Sequence, residues 1–141
     1  LDTEGFVTEK KNIPSFNDDK ILKVLNTFLG ETKQIPPMFS AKKIKGKKLY
    51  ELARKNIEVE RMPVLINIKK ISLLSFNAKK ITFSVTSSKG TYIRVLGKDI
   101  AEKLGTLGYL TSLKRTKVGS FSVADSTSIE EFEEKWKLSQ A

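Results

Sequence analysis

The stretch Ile81-Thr82-Phe83-Ser84-Val85-Thr86-Ser87-Ser88-Lys89-Gly90-Thr91-Tyr92-Ile93-Arg94 decides the fold. Ile81, Phe83 and Val85 fall on one face and Thr82, Ser84 and Thr86 on the other, the period-two signature of a half-buried strand. Beyond it Ile93, Leu96, Ile100 and Leu104 recur at three- and four-residue steps, one apolar helical stripe. Gly90 supplies the turn between them, and Thr91 is expected to cap the helix. Tyr92 and Arg94 are thereby expected in the first helical turn, at the end of a strand, where side chains reach into a cleft.

Working outward, Val64, Ile66 and Ile68 alternate with Leu65, Asn67 and Lys69 as a second strand, which Ile71, Leu73 and Leu74 extend or bend. Asn77-Ala78 suits a hairpin turn, so the two strands pair antiparallel. Upstream, Ile21, Leu22, Leu25, Phe28 and Leu29 share a helical face. Ser15 with Asp18 reads as its capping box and Gly30 as its stop. Phe6-Val7 reads as the start of a short strand after a turn at residues 1–5. Downstream, Gly105 ends the second helix. Tyr109, Leu110, Leu113 and Val118 read as a strand region broken by Lys114-Arg115-Thr116-Lys117. Ser128 caps a last helix carrying Ile129, Phe132 and Trp136, with Trp136 as a packing residue. There is no internal repeat or low-complexity tract, and the whole is read as one domain.

Between the first helix and the hairpin, Gln34-Ile35-Pro36-Pro37-Met38-Phe39-Ser40-Ala41 reads as irregular, because adjacent prolines impose a stiff extended path. Five lysines follow: Lys42, Lys43, Lys45, Lys47 and Lys48. Leu49, Tyr50 and Ala53 then give a short helical face, with Arg54 and Lys55 near its end and Asn56 as its stop. A stiff loop, a lysine cluster, an aromatic and an arginine suit an RNA backbone with splayed bases. The same residues also suit a solvated hairpin whose lysines face water.

Composition narrows the classes. The chain of 141 residues is 39% apolar and carries a net charge of +10. That charge points to a polyanion partner, nucleic acid first. No apolar run is long enough to cross a bilayer. Neither Cys nor His occurs, so disulfides, thiolate and Ser-His nucleophiles and the usual zinc sites are not expected. Acid–base chemistry would fall to Asp, Glu, Lys or Tyr. The chain opens on Leu1-Asp2-Thr3 and is read as a fragment or a processed product.

Five separated blocks carry a resemblance. They are Gln34 to Lys42, Gly46-Lys47-Lys48-Leu49-Tyr50-Glu51-Leu52-Ala53-Arg54, Arg61-Met62-Pro63-Val64-Leu65-Ile66, Ser88-Lys89-Gly90-Thr91-Tyr92-Ile93-Arg94, and Leu113 to Phe121. In this order they resemble the bacterial tRNA pseudouridine synthase B (TruB) family. The resemblance implies an α+β fold, a mixed and largely antiparallel sheet flanked by helices, present here in part. It implies isomerisation of a T-loop uridine of tRNA to pseudouridine, no metal or organic cofactor, the T-arm hairpin as partner, no membrane, and a cytoplasmic location. It makes residues 1–141 a single partial catalytic domain, within which residues 34–59 form an RNA-clamping thumb.

The same resemblance implies that Tyr92 lines the uridine pocket and that Arg94 pairs with the nucleophilic Asp. In the family that Asp lies in a Gly-x-Leu-Asp-x-x-Ala-x-Gly block, which these residues do not contain. Leu1-Asp2-Thr3-Glu4-Gly5 resembles instead the Leu-Asp-x-Glu-Gly turn that follows the family's Thr-Asp-Thr segment. The expected complement is therefore the N-terminal part of the catalytic domain, and the chain alone is expected to be inactive. Otherwise Arg94 would form a surface ion pair with Glu102 or Asp99. The candidate RNA contacts are Lys42, Lys43, Lys45, Lys47, Lys48, Tyr50, Arg54, Lys89 and Arg115. Phe39 stands where the family often has Tyr, and Lys114 where it commonly has Arg. Two other readings are a non-catalytic basic RNA-binding module with the same fold and a basic structural domain with no specific RNA target. Binding to a T-arm hairpin in preference to an unrelated hairpin separates them.

Overall fold

The computed structural model describes all residues except 1, 4, 5, 45 and 141. The contacts fall into two compact units, residues 1–111 and 112–141. In the first, α1 spans Asp18–Asn26, β1 Gly30–Gln34, β2 Lys43–Ile44, β3 Lys47–Lys48, α2 Leu49–Ala53, β4 Val64–Phe76, β5 Ile81–Ser87 and α3 Ile93–Lys103. Strands β1, β4 and β5 form one antiparallel sheet with β4 in the middle, and β2 and β3 form a separate hairpin. The unit is α+β.

The core explains why these elements assemble. Ile21, Leu25 and Phe28 of α1, Ile66, Ile68 and Ile71 of β4, and Leu96, Ile100 and Leu104 from α3 and its end form one buried cluster. Strand β4 holds this face over thirteen residues despite a pattern that breaks strict alternation. Its register against β5 shifts between Ile68 and Lys70 and again between Leu73 and Ser75. Each shift moves the inward phase by one residue. Ile66 and Ile68 point inward before the first, Ile71 and Leu73 between the two, and Phe76 after the second. Leu65, on the opposite face, is 64% exposed. The turn after β4 is fixed by Asn77, whose side-chain oxygen accepts the N–H groups of Lys79 and Lys80.

Several local expectations need correcting. The N-cap of α1 is Asn17, which accepts the Lys20 N–H at 2.9 Å; Ser15 lies two residues too early. Asp18 and Asp19 sit in the first turn, where carboxylates oppose the helix dipole. The helix is capped at Thr27, and Gly30 instead opens β1 with φ of +87°. The β1 sequence Gly-Glu-Thr-Lys-Gln carries no apolar alternation, so periodicity gives no sign of this strand. Phe6-Val7 form no strand; Phe6 is 99% exposed. Leu1, Glu4 and Gly5 of the expected first turn lie outside the described residues. Tyr92, not Thr91, is the N-cap of α3, so Arg94 is its second residue. Thr91 turns its hydroxyl back to the Ser88 carbonyl at 2.9 Å. The end of α3 is as expected, with Gly105 at φ of +92° directly after the C-cap Leu104. Asn56, after α2, adopts φ of +54°, which suits a helix stop.

The second unit holds a two-residue hairpin, β6 Lys117–Val118 with β7 Phe121–Ser122, then a short 3-10 turn and α4 Ile129–Gln140. Of the strand region expected across Tyr109, Leu110, Leu113 and Val118 and broken at Lys114 to Lys117, Val118 alone lies in a strand, β6. Leu110 instead makes an isolated parallel bridge to Asp2 within the first unit. Ser128 does cap α4, accepting the Glu131 N–H. Trp136 stacks on Phe132 with ring centroids 6.2 Å apart and remains half exposed. No helix among the described residues is long and apolar enough to cross a membrane.

Two stability predictions follow from the core and its rim. Leu96→Ala, at a position 1% exposed, is expected to cost about 2–5 kcal/mol in denaturant unfolding, whereas Leu65→Ala on the open face is expected to cost under about 1 kcal/mol. Asp99, on α3, lines a groove with Thr27, Thr32 and Lys33. Burial, with a smaller push from Glu102, raises its carboxyl above the ordinary 3.8 against the pull of Lys98 and Lys103. Its proton is therefore held more tightly in the folded chain, and its ionisation lowers stability as pH rises from 3.8 through the folded value. Asp99→Asn is expected to be more stable than the parent at neutral pH, with the difference vanishing in acid; thermal melts across pH check this.

Candidate active site

The site begins at the end of β1. Gln34 is buried, and its carboxamide meets the backbone of Tyr92 on both sides. Its Oε1 accepts the Tyr92 N–H at 2.8 Å, and its Nε2 donates to the Tyr92 carbonyl at 3.1 Å. Tyr92 follows the turn Ser88–Thr91, in which Gly90 takes φ of +81°. The turn is anchored to the sheet, because the Ser88 N–H donates to the Asn67 carbonyl and the Ser88 Oγ accepts the Asn67 N–H. These two bonds carry the β4–β5 pairing one residue further, to Asn67 and Ser88.

One residue into α3, Arg94 divides its guanidinium between two partners. Its Nη1 donates to Asp2 Oδ2 at 2.9 Å, and its Nη2 donates to the Phe39 carbonyl at 2.9 Å. The side chains of Arg94 and Asp2 are each about one third exposed, 33% and 31%. Three segments far apart in sequence thus meet at one planar group. Neither Glu102 nor Asp99 is the partner of Arg94; Glu102 pairs with Lys98 at 3.1 Å.

A cleft of about 240 Å³ opens beside Tyr92, lined by Pro36, Lys42, Val64, Leu65, Ile66, Lys89, Gly90 and Tyr92. It therefore joins Tyr92 to two of the candidate RNA contacts, Lys42 and Lys89, over an apolar floor. In the hairpin, Lys43 and Lys48 stand directly opposite each other. Lys48 turns to Tyr50, with its Nζ 3.2 Å from the hydroxyl and 5.4 Å from the ring centroid. The hydrogen bond to Tyr50 raises the Lys48 ammonium above its ordinary range. Arg54 approaches the same ring, its Cζ 5.4 Å from the centroid. Tyr50 is therefore flanked by two cations. Lys47 is exposed on β3, and Lys45 lies outside the described residues. Arg115 is exposed in the second unit.

Residue reasoning missed Gln34 and Asp2. Gln34 was read only as the start of a stiff loop; the buried polar side chain leaves no periodic trace. Asp2 had a signal, since Leu1-Asp2-Thr3-Glu4-Gly5 matched a family turn, but it was read as a turn alone.

With this geometry in hand, comparison with known proteins is informative. A family model for the TruB family pseudouridylate synthase (N terminal domain) matches residues 1–93. The tRNA pseudouridine synthase B of Psychrobacter cryohalolentis is 48% identical over 132 residues, 94% of this chain and 37% of the relative. That of Caldanaerobacter subterraneus subsp. tengcongensis is 44% identical over 135 residues, 95% of this chain and 47% of the relative. That of Aquifex aeolicus is 47% identical over 133 residues, 93% of this chain and 46% of the relative. The chain thus spans less than half the length of these relatives. Among solved structures, a chain from the crystal structure of a Cbf5-Nop10-Gar1 complex superposes with a TM-score of 0.62 at 28% identity, over 79% of this chain and 29% of that one. A match across residues 1–93 takes in Asp2, residues 34–59 and Tyr92, and the chain belongs to the TruB family of pseudouridylate synthases.

Proposed function

We propose that this chain forms the base-pocket and RNA-gripping part of a tRNA pseudouridine synthase that isomerises a T-loop uridine, working with a nucleophilic Asp from the family's Gly-x-Leu-Asp block. The observation that carries this reading is the Arg94 fork, held by Asp2 and the Phe39 carbonyl next to the Tyr92 cleft. The site of action is the cytoplasm, where tRNA is matured.

The chemistry is an isomerisation and needs no oxidant. The bond from C1′ to N1 of uracil breaks, the base turns, and a bond from C1′ to C5 forms. C5 gives up its proton and N1 gains one, so atoms and electrons balance. A carboxylate nucleophile must stay ionised in a pocket that excludes water, and burial alone opposes that. A fixed guanidinium nearby restores the charged form and aims it. Asp2 and the Phe39 carbonyl hold Arg94 in one orientation, so the cation need not reorganise as the reaction proceeds. The uridine must leave its stack to be reached, and Tyr92 with the apolar cleft floor receives it.

The lysines supply affinity. Lys43 and Lys48 face each other across a hairpin of two residue pairs, where like charges repel. An RNA phosphate relieves that repulsion. Lys42 and Lys89 flank the cleft, and Arg54 and Lys48 clasp Tyr50. Together with Arg115, Lys45 and Lys47 they form the proposed RNA-binding set, with residues 34–59 as the thumb.

In the complete enzyme, wild type is expected to form pseudouridine in a T-arm hairpin, read by mass spectrometry of derivatised RNA; binding without product would favour the non-catalytic module. Arg94→Lys is expected to lower turnover about 100-fold while RNA affinity changes less than about threefold, since one ammonium cannot reach both partners. Equal losses in both would count against the pairing. Replacing Lys47 and Lys48 by Ala is expected to reduce the salt slope of RNA binding by up to about 1.8; an unchanged slope assigns both lysines to solvent.

A further inference from the structure

We infer that Gln34 is a positioning residue for the reaction: its buried carboxamide fixes the backbone of Tyr92 and so sets the direction in which Arg94 enters the site. The inference rests on the function proposed above and extends it to a side chain that touches no substrate.

Tyr92 is the N-cap of α3, and its side chain makes no capping hydrogen bond. Its carbonyl accepts the N–H groups of Val95 and Leu96, both at 3.1 Å, and also the Nε2 of Gln34. Its own N–H would be unpaired without Gln34 Oε1. A carboxamide presents one donor and one acceptor side by side, which is what a peptide edge demands. Gln34 thus acts as one further rung between β1 and the segment leading into α3. Gln34 itself is 3% exposed, so a carboxamide that lost these bonds would be left unsatisfied in the interior.

The second half of the argument is the segment that follows. Phe39 lies five residues beyond Gln34, and its carbonyl receives Arg94 Nη2. Between them Pro36 and Pro37 are buried and restrict the path. Residues 34–39 are therefore attached to the start of α3 at both ends. The side chain of Gln34 holds the backbone of Tyr92, and the backbone of Phe39 holds the side chain of Arg94. Arg94, one third exposed, is not locked by packing alone. Releasing the first attachment lets the helix start and the guanidinium drift, and a shift of about 1 Å at a reacting group costs about 100-fold in rate.

Two variants of the complete enzyme test this. Gln34→Met keeps the length and removes both bonds. It is expected to lower kcat at least about tenfold with RNA affinity within about threefold. Gln34→Glu gives a pH signature. The protonated carboxyl offers one donor and one acceptor, as the amide does; the carboxylate meets the Tyr92 carbonyl without a proton. Burial raises such a carboxyl, so turnover relative to wild type is expected to rise as pH falls from about 8 to about 6. Thermal melts run in parallel. Wild-type kcat in Gln34→Met overturns the inference, as does a common fall of kcat, RNA affinity and Tm with a flat pH ratio in Gln34→Glu, which marks a merely structural residue. A wild-type enzyme that forms no pseudouridine removes the underlying function instead.

Discussion

One guanidinium ties the site together. Arg94 takes Asp2 from near the start of the sequence and the Phe39 carbonyl from the proline-stiffened segment, both at 2.9 Å. A planar fork with parallel donors suits this role, whereas a lysine would satisfy one partner and leave the other. The fork stands on α3, and α3 is held by Leu96, Ile100 and Leu104 against α1 and the sheet. The core thus fixes a helix, the helix offers a cation, and the cation joins the segment around Asp2 to the proline segment, where Pro36, Pro37 and Ser40 are themselves buried.

Legibility followed the source of the order. Where apolar periodicity drives structure, residues told it directly. Val64 to Leu74, Ile81 to Val85 and the stripe from Ile93 to Leu104 appear as β4, β5 and α3. Ile71, Leu73 and Leu74, expected to extend or bend the strand, lie within the one strand β4, whose two register shifts change which residues point inward. Where polar contacts drive structure, the sequence was mute. Strand β1 has almost no apolar residue, yet it pairs with β4 from Gly30↔Ile68 to Gln34↔Val64 because its neighbour supplies the hydrophobic face. The spacing of Ser15 and Asp18 suggests a cap at Ser15, yet Asn17 is the residue whose side chain reaches the right N–H.

The site divides the same way. A motif singles out Tyr92 and Arg94, and charge singles out Lys42 and Lys89; the cleft brings Lys42, Lys89 and Tyr92 together. Gln34 was hidden because its meaning lies 58 residues away in the chain. Asp2 was hidden because an acidic residue in a turn is ordinary, and only the opposing guanidinium makes it specific. Long-range polar pairs are the class that single-sequence reading loses, since nothing local encodes the partner.

The charge distribution has a consistent logic. The cations sit where burial is least: Lys43, Lys47 and Lys48 on a hairpin two residue pairs long, Lys42 and Lys89 at a cleft rim. Beside this hairpin Leu49 is fully buried, and backbone links run from the Leu49 N–H to the Lys42 carbonyl and from the Tyr50 N–H to the Ser40 carbonyl. Those links run through the segment that also supplies the Phe39 carbonyl to Arg94. If the lysines bind RNA as proposed, a phosphate laid across Lys43 and Lys48 would relieve their repulsion beside the short segment that gives Arg94 its carbonyl partner, so affinity and orientation would share one piece of backbone.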